Sequence, residues 1–157
     1  MSLFDPVAFF NAATDVVDER RGLLPEENPY HDKGYYLAKI GEITPERFRG
    51  GVSQKGKKWA RVDIPVRIQV PPALATELSL DPELTIIDGV MLDLDEDGNL
   101  DERQGKNSRR RIYREATDTN VPGFKFDQLS GKIVLVRLKH DIYNDQVREQ
   151  VAAVFRA

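Results

Sequence analysis

"KKWARVDIPVRIQV", residues 57–70, is the stretch whose reading decides the fold. Successive side chains of a strand point to opposite sides of the sheet, so the segment can be unzipped into two rows. One row reads Ala60, Val62, Ile64, Val66, Ile68, Val70; the other reads Trp59, Arg61, Asp63, Pro65, Arg67, Gln69. The first row is a core face. The second belongs in water, yet it carries the only tryptophan of the chain, with Arg61 and Arg67 on the same side.

Four further stretches speak the same language: "YYLAKIGEI" (35–43), "LTIIDGVMLDL" (84–94), "KIVLVRLKH" (132–140) and "VREQVAAVF" (147–155). "PPALATEL" (71–78) reads as a short helix opened by Pro71-Pro72, and "SRRRIYREAT" (108–117) as another, capped by Asn107 or Ser108 with Ile112 and Ala116 as its inward stripe. Asp5-Pro6 ahead of "VAFFNAATDVV" reads as an N-cap, a proline at the first helical position and a helix that ends before Gly22. "LLPEENPYHDKG" (23–34) is then a proline-punctuated loop feeding the first strand. These elements predict an α+β chain that is mainly β: a five-stranded antiparallel, partly open barrel of the OB type with short helices and an N-terminal helix, since five strands must curl to enclose a core. Residues 1–30 form an extension, and residues 31–157 the domain.

Bulk properties narrow the function. At 157 residues the chain suits one domain, and 40% hydrophobic with 31% charged residues is a globular composition with a heavily charged surface. The absence of cysteine excludes disulfides and thiolate metal sites and fits a reducing compartment, so the cytoplasm is expected, the host's if the chain is phage-encoded. No apolar run approaches the ~18 residues of a bilayer span, and acids stand where a secretory leader needs a basic region, so no membrane association is expected. A net charge of −3 argues against an all-over basic binder of polyanions and confines any such site to a local patch.

Such a patch surrounds the tryptophan. "RFRGGVSQKGKK" (47–58) reads as a glycine-punctuated hairpin loop bearing Arg47, Arg49, Lys55, Lys57 and Lys58. Cations for phosphates and a ring for a base to stack on are what single-stranded nucleic acid requires, and stacking is sequence-tolerant because every base has a π-face. Tyr36 or Phe48 is expected to help Trp59; of the adjoining Tyr35 and Tyr36, one is core and the other available. Phe124 and Phe126 are expected to pack against the barrel.

A split-charge stretch, "DLDEDGNLDERQGKNSRRRIYREA" (93–116), completes the inventory. Asp93, Asp95, Asp97 and Gly98 imitate an EF-hand loop, but the twelfth position, which needs a bidentate glutamate, holds Gln104. A hairpin turn at Asp97-Gly98 or Gly98-Asn99 is the simpler reading. Arg109, Arg110, Arg111 and Arg114 open the following helix, where cations oppose its dipole. Ion pairing with the preceding acids suits Arg109 and Arg114; phosphate suits at least one of Arg110 and Arg111. No P-loop, dinucleotide fingerprint or Gly-x-Ser-x-Gly elbow occurs, and neither His31 nor His140 reads as a catalyst, so no enzyme, catalytic residue, cofactor or metal is expected.

"DEDGNLDERQGKNSRRRIYREATDTNVPGFKFDQLSGKIVLVRLKH" (95–140), with "NDQVREQVAAV" (144–154), resembles phage-encoded single-stranded-DNA-binding proteins of the OB-fold kind used in replication and recombination. The elements that carry the likeness are Gly98, Gly105-Lys106-Asn107, Pro122-Gly123-Phe124, Leu129 and Gly131-Lys132. The resemblance implies a groove for single strands on the outer face of the sheet and replication or recombination proteins as partners. The chain departs from it at the end, "QVAAVFRA", which lacks the acidic tail that recruits them. The N-terminal helix lies outside the likeness and is a candidate for protomer contacts in a homo-oligomer. The contrasting expectation is a virion or assembly module without nucleic acid, with Phe9, Phe10 and Val17 docking a neighbour.

Overall fold

A computed structural model of the protein describes residues 4–12, 22–101 and 108–157. Its frame is one antiparallel sheet of β1 (Tyr36–Ile40), β2 (Phe48–Val52), β3 (Lys58–Gln69), β4 (Glu83–Asp93), β5 (Ile133–Tyr143) and β6 (Gln146–Arg156). The long alternating strand is β3, and it organises the rest. Along one edge it pairs β4 from Trp59↔Asp93 to Gln69↔Glu83. Its other edge is divided: β2 takes Lys58 to Val62, and β1 takes Val66 to Ile68. From β1 the sheet continues to β5 and then β6. No ladder joins β4 to β6 among the described residues, so the sheet curls without closing.

Six strands stand where five are expected because the stretch expected as a hairpin loop, residues 47–58, contains a strand of its own, β2. The excursion from Gly41 to Arg47 ends in a 3₁₀ turn at Pro45–Arg47, after which the chain returns to the same edge of β3 as β2. β2 reads as a loop in the sequence: all five of its residues are exposed and two are glycines, so it lacks the alternation that marks a strand. Pairing with β3 is what makes it one.

The core lies on the predicted face of β3, with Val62, Ile64, Val66, Ile68 and Val70 all buried. Tyr36, Ala38 and Ile40 of β1, Val90 and Leu92 of β4, Val134, Val136 and Leu138 of β5, and Val151 and Val154 of β6 complete it. Pro65, on the other row, is buried as well, because Gly41 lies against its ring and donates its N–H to the Pro65 carbonyl at 2.7 Å. Two helices, α2 (Pro72–Leu78) and α3 (Ser108–Ala116), cover the core through Leu74 and through Tyr113 with Ala116. The inward stripe of α3 therefore runs through Tyr113, and Ile112, expected inside, is 40% exposed. Asp88 explains the choice: its buried Oδ2 accepts from the Tyr113 hydroxyl at 2.6 Å and from Arg109 Nη2. A hydroxyl on a buried ring needs such a partner.

The segment from Gly22 to Gly34 is stitched onto the domain. Leu24 is fully buried, its N–H donating to Glu149 Oε2 and its carbonyl meeting His140 Nε2 at 2.7 Å. Earlier in the chain, α1 (Pro6–Asn11) is capped by Asp5, whose Oδ1 accepts from Val7 and Ala8. The helix expected to run to Gly22 ends at Asn11, since Ala12 is extended; Val17 lies outside the described residues, as do Gln104 and the Asn107 cap. No helix among the described residues is long and apolar enough to cross a membrane.

Candidate nucleic-acid interface

On the outer row of β3, Trp59, Arg61, Asp63 and Arg67 are half-buried, Gln69 is exposed and Pro65 is buried. Trp59 lines a cleft of about 440 Å³ with Arg49, Ser53, Lys57, Lys58, Arg61 and Met91. Opposite it in register is Gly51. A Cβ at Gly51 would lie 3.2–3.3 Å from Nε1, Cε2 and Cζ2, so that edge of the indole packs closely against the glycine.

Arg61 repeats the arrangement on the other side of β3. A Cβ at Gly89 of β4 would sit 2.5–2.7 Å from its Nε, Cζ and Nη2, so the guanidinium lies flat over that glycine. Its Nε donates to Asp63 Oδ1 at 2.7 Å, while Asp63 Oδ2 faces Arg49 Nη2 at 3.1 Å. One carboxylate thus holds two of the cleft's cations.

Farther along β3, Arg67 makes a bidentate contact with Glu83, Nε to Oε1 at 2.6 Å and Nη2 to Oε2 at 3.2 Å, and Gln69 Nε2 adds a third donor. The Arg67 and Gln69 hydrogen bonds hold the Glu83 carboxyl below its usual range. At the hairpin end, Lys57 Nζ stands 3.7 Å from Asp93 Oδ1, and Lys58 Nζ donates to the Glu96 carbonyl at 2.9 Å. Lys55 is exposed in the turn that Ser53 closes by accepting from Lys57 N–H. Arg49, Arg61, Arg67 and Lys57 are therefore in contact with acids, of which Asp63 and Asp93 are largely buried and Glu83 is partly exposed. The cations are the more exposed members of these pairs, which leaves Arg49, Lys57 and Arg67 open to a polyanion.

Trp59, Arg49, Arg61, Lys57 and Lys58 are thus brought together, and Arg67 shares their face of β3. Four nominated residues fall elsewhere. Tyr36 is fully buried with its hydroxyl donating to the Pro25 carbonyl, and Tyr35 is the outward member of the pair, stacked on Phe155 with centroids 4.5 Å apart. Phe48 pairs with Val62, on the core side of β2, and meets Phe126 edge-on at 5.3 Å, so it cannot assist Trp59. Arg110 is buried on α3, which removes it from a phosphate path, and Arg111 is exposed but does not line the cleft. Arg109 has the ion pair expected of it, with Asp88 rather than with the preceding acids, while Arg114 donates to the Val121 carbonyl at 2.9 Å and lies over the Phe124 ring. Phe124 and Phe126 pack against the core as expected.

The acidic half is a turn. Asp95 Oδ1 accepts from the amides of Asp97 and Asn99, Leu94 bridges to Leu100, and Gly98 supplies a φ of +84°. Two of its residues reach the lysines of the β2–β3 hairpin, Asp93 by its carboxylate and Glu96 by its backbone carbonyl, which the strand pattern does not announce. Also unforeseen were the two glycines under Trp59 and Arg61. Gly89 did carry a signal, since an isolated glycine inside a strand pattern marks a close approach. No protein-family model matches the chain, and no curated protein matches it either.

Proposed function

We propose that the protein binds single-stranded DNA, tolerant of sequence, along the outer face of β3 and its neighbours. The observation that carries this reading is the lone indole, backed by Gly51 and set in a cleft rimmed by Arg49, Lys57 and Lys58. Trp59 receives a base by stacking; Lys55 meets phosphate from its exposed turn, and Arg49, Lys57, Lys58 and Arg67 do so by exchanging their present carboxylate and carbonyl partners. The resemblance to phage single-stranded-DNA-binding proteins supports a role in replication and recombination. Titration with oligo-dT, followed through the fluorescence of the one tryptophan, tests it: quenching that reverses with added salt is expected, and an unchanged signal at every salt concentration overturns it.

A second reading, an assembly or virion module, draws on α1. Phe9 and Phe10 are 64% and 86% exposed there, beside Phe4 and Val7. A module of this kind ignores oligo-dT at all salt concentrations.

A further inference from the structure

We infer that Arg61 is a second stacking station for a base rather than a contact for phosphate. The inference rests on the single-strand reading above and concerns how that strand is held.

Three observations converge on Arg61. Its guanidinium lies flat on Gly89, so one face of the plane is backed by β4 while the side chain keeps 37% of its surface open. Any residue other than glycine at position 89 would lift it from that bed. Its Nε, the in-plane donor nearest the strand, is already used on Asp63 at 2.7 Å, which also sets a carboxylate against its charge. A weakly hydrated plane with one backed face is a surface on which a base can lie.

The arrangement duplicates that of Trp59 on Gly51. The two beds lie on opposite flanks of β3, Gly51 level with Trp59 and Gly89 level with Asp63. Four residues of strand rise and two strand spacings separate them by roughly 16 Å. That is too far for neighbours in a base stack, whose rise is about 3.4 Å per strand. The strand therefore crosses β3 obliquely, with one base on the indole, another on the guanidinium, and nucleotides between them that touch neither plane.

The experiment compares wild type, Arg61→Ala, Arg61→Lys, Gly89→Ala and Trp59→Ala on oligo-dT and on an abasic strand of equal length, across a salt series. Circular dichroism confirms folding; at Gly89 the added methyl meets the end of a flexible side chain, not backbone. On oligo-dT, Arg61→Ala is expected to weaken binding about 5-fold or more, with Arg61→Lys and Gly89→Ala showing a similar loss and an unaltered salt slope. On the abasic strand all three should match wild type. Rescue by lysine, a slope shallower by about 0.7, or an equal loss on the abasic strand would make Arg61 a phosphate contact and overturn the inference. Full binding by Gly89→Ala would also overturn it. If wild type binds no oligo-dT, or Trp59→Ala binds as wild type does, the failure lies with the underlying function or with its aromatic anchor instead.

Discussion

Trp59 of β3 and Gly51 of β2 are direct cross-strand partners, and the indole of one lies against the backbone of the other. A large ring beside a glycine on an edge strand covers the gap that the missing side chain leaves. The pair therefore has a structural use as well as a binding one, and the two can be separated.

Replacing the ring separates them. Trp59→Ala is expected to weaken oligo-dT binding by ~1–3 kcal/mol while the far-ultraviolet spectrum stays native, since the ring lies outside the core. Gly51→Ala, whose methyl would lie 3.2 Å from Nε1, should tilt the ring and give a smaller loss. Binding by fluorescence anisotropy checks both, and native affinity in Trp59→Ala removes the aromatic role.

Glu83 competes with phosphate for Arg67. Glu83→Gln should strengthen oligo-dT binding and steepen the log–log salt dependence by about 0.7, the share of one more neutralised phosphate. The Arg67 and Gln69 hydrogen bonds hold the Glu83 carboxyl low, so the stabilisation from this pair is present above the ordinary carboxylate range and is lost as pH falls through the depressed value. An unchanged slope in Glu83→Gln would place the phosphate path away from Arg67.

Asp88 anchors α3 to β4 through Tyr113 and Arg109. Asp88→Ala should cost about 2–3 kcal/mol in urea unfolding, because it strands a buried hydroxyl and a guanidinium, whereas Tyr113→Phe should cost about 1 kcal/mol. Equal costs for the two would mean that the carboxylate matters to Tyr113 alone.

Alkali should loosen the fold. Burial, with the nearby Glu149 carboxylate, pushes the Tyr36 hydroxyl up to about 12 from an ordinary value of 10, and burial beside Asp88 pushes Tyr113 well above its usual range. A raised value means that stability is fully present below pH 10 and falls as pH rises through 12, by on the order of 2–3 kcal/mol for Tyr36. Tyr36→Phe should remove that part of the pH dependence, read from urea midpoints between pH 9 and 12.

Much of the fold was legible in the sequence because period-2 alternation is a local signal. In β3 each core residue announces its face by its position two places from the last, and so do the buried residues of β1 and β5. β2 was illegible for the same reason: "FRGGV" has no alternation, and only the edge of β3, ten residues on, turns it into a strand. The site divides likewise. That Trp59, Arg61 and Arg67 share one side follows from chain order. That Tyr36 points inward and Tyr35 outward does not, since both are aromatic and either could have met the core.

By itself, then, the sequence determined the antiparallel β-rich architecture, the core face of its central strand and the basic, aromatic character of the other face, because these depend on spacing along one backbone. Tertiary structure alone decided that Gly51 and Gly89 lie beneath the two flat side chains, that Asp63 and Glu83 already occupy the arginines, and that Arg110 turns inward beneath α3. Apart from the Arg61–Asp63 contact within β3, those facts arise between different elements of the chain, and their geometry exists only once the sheet has curled.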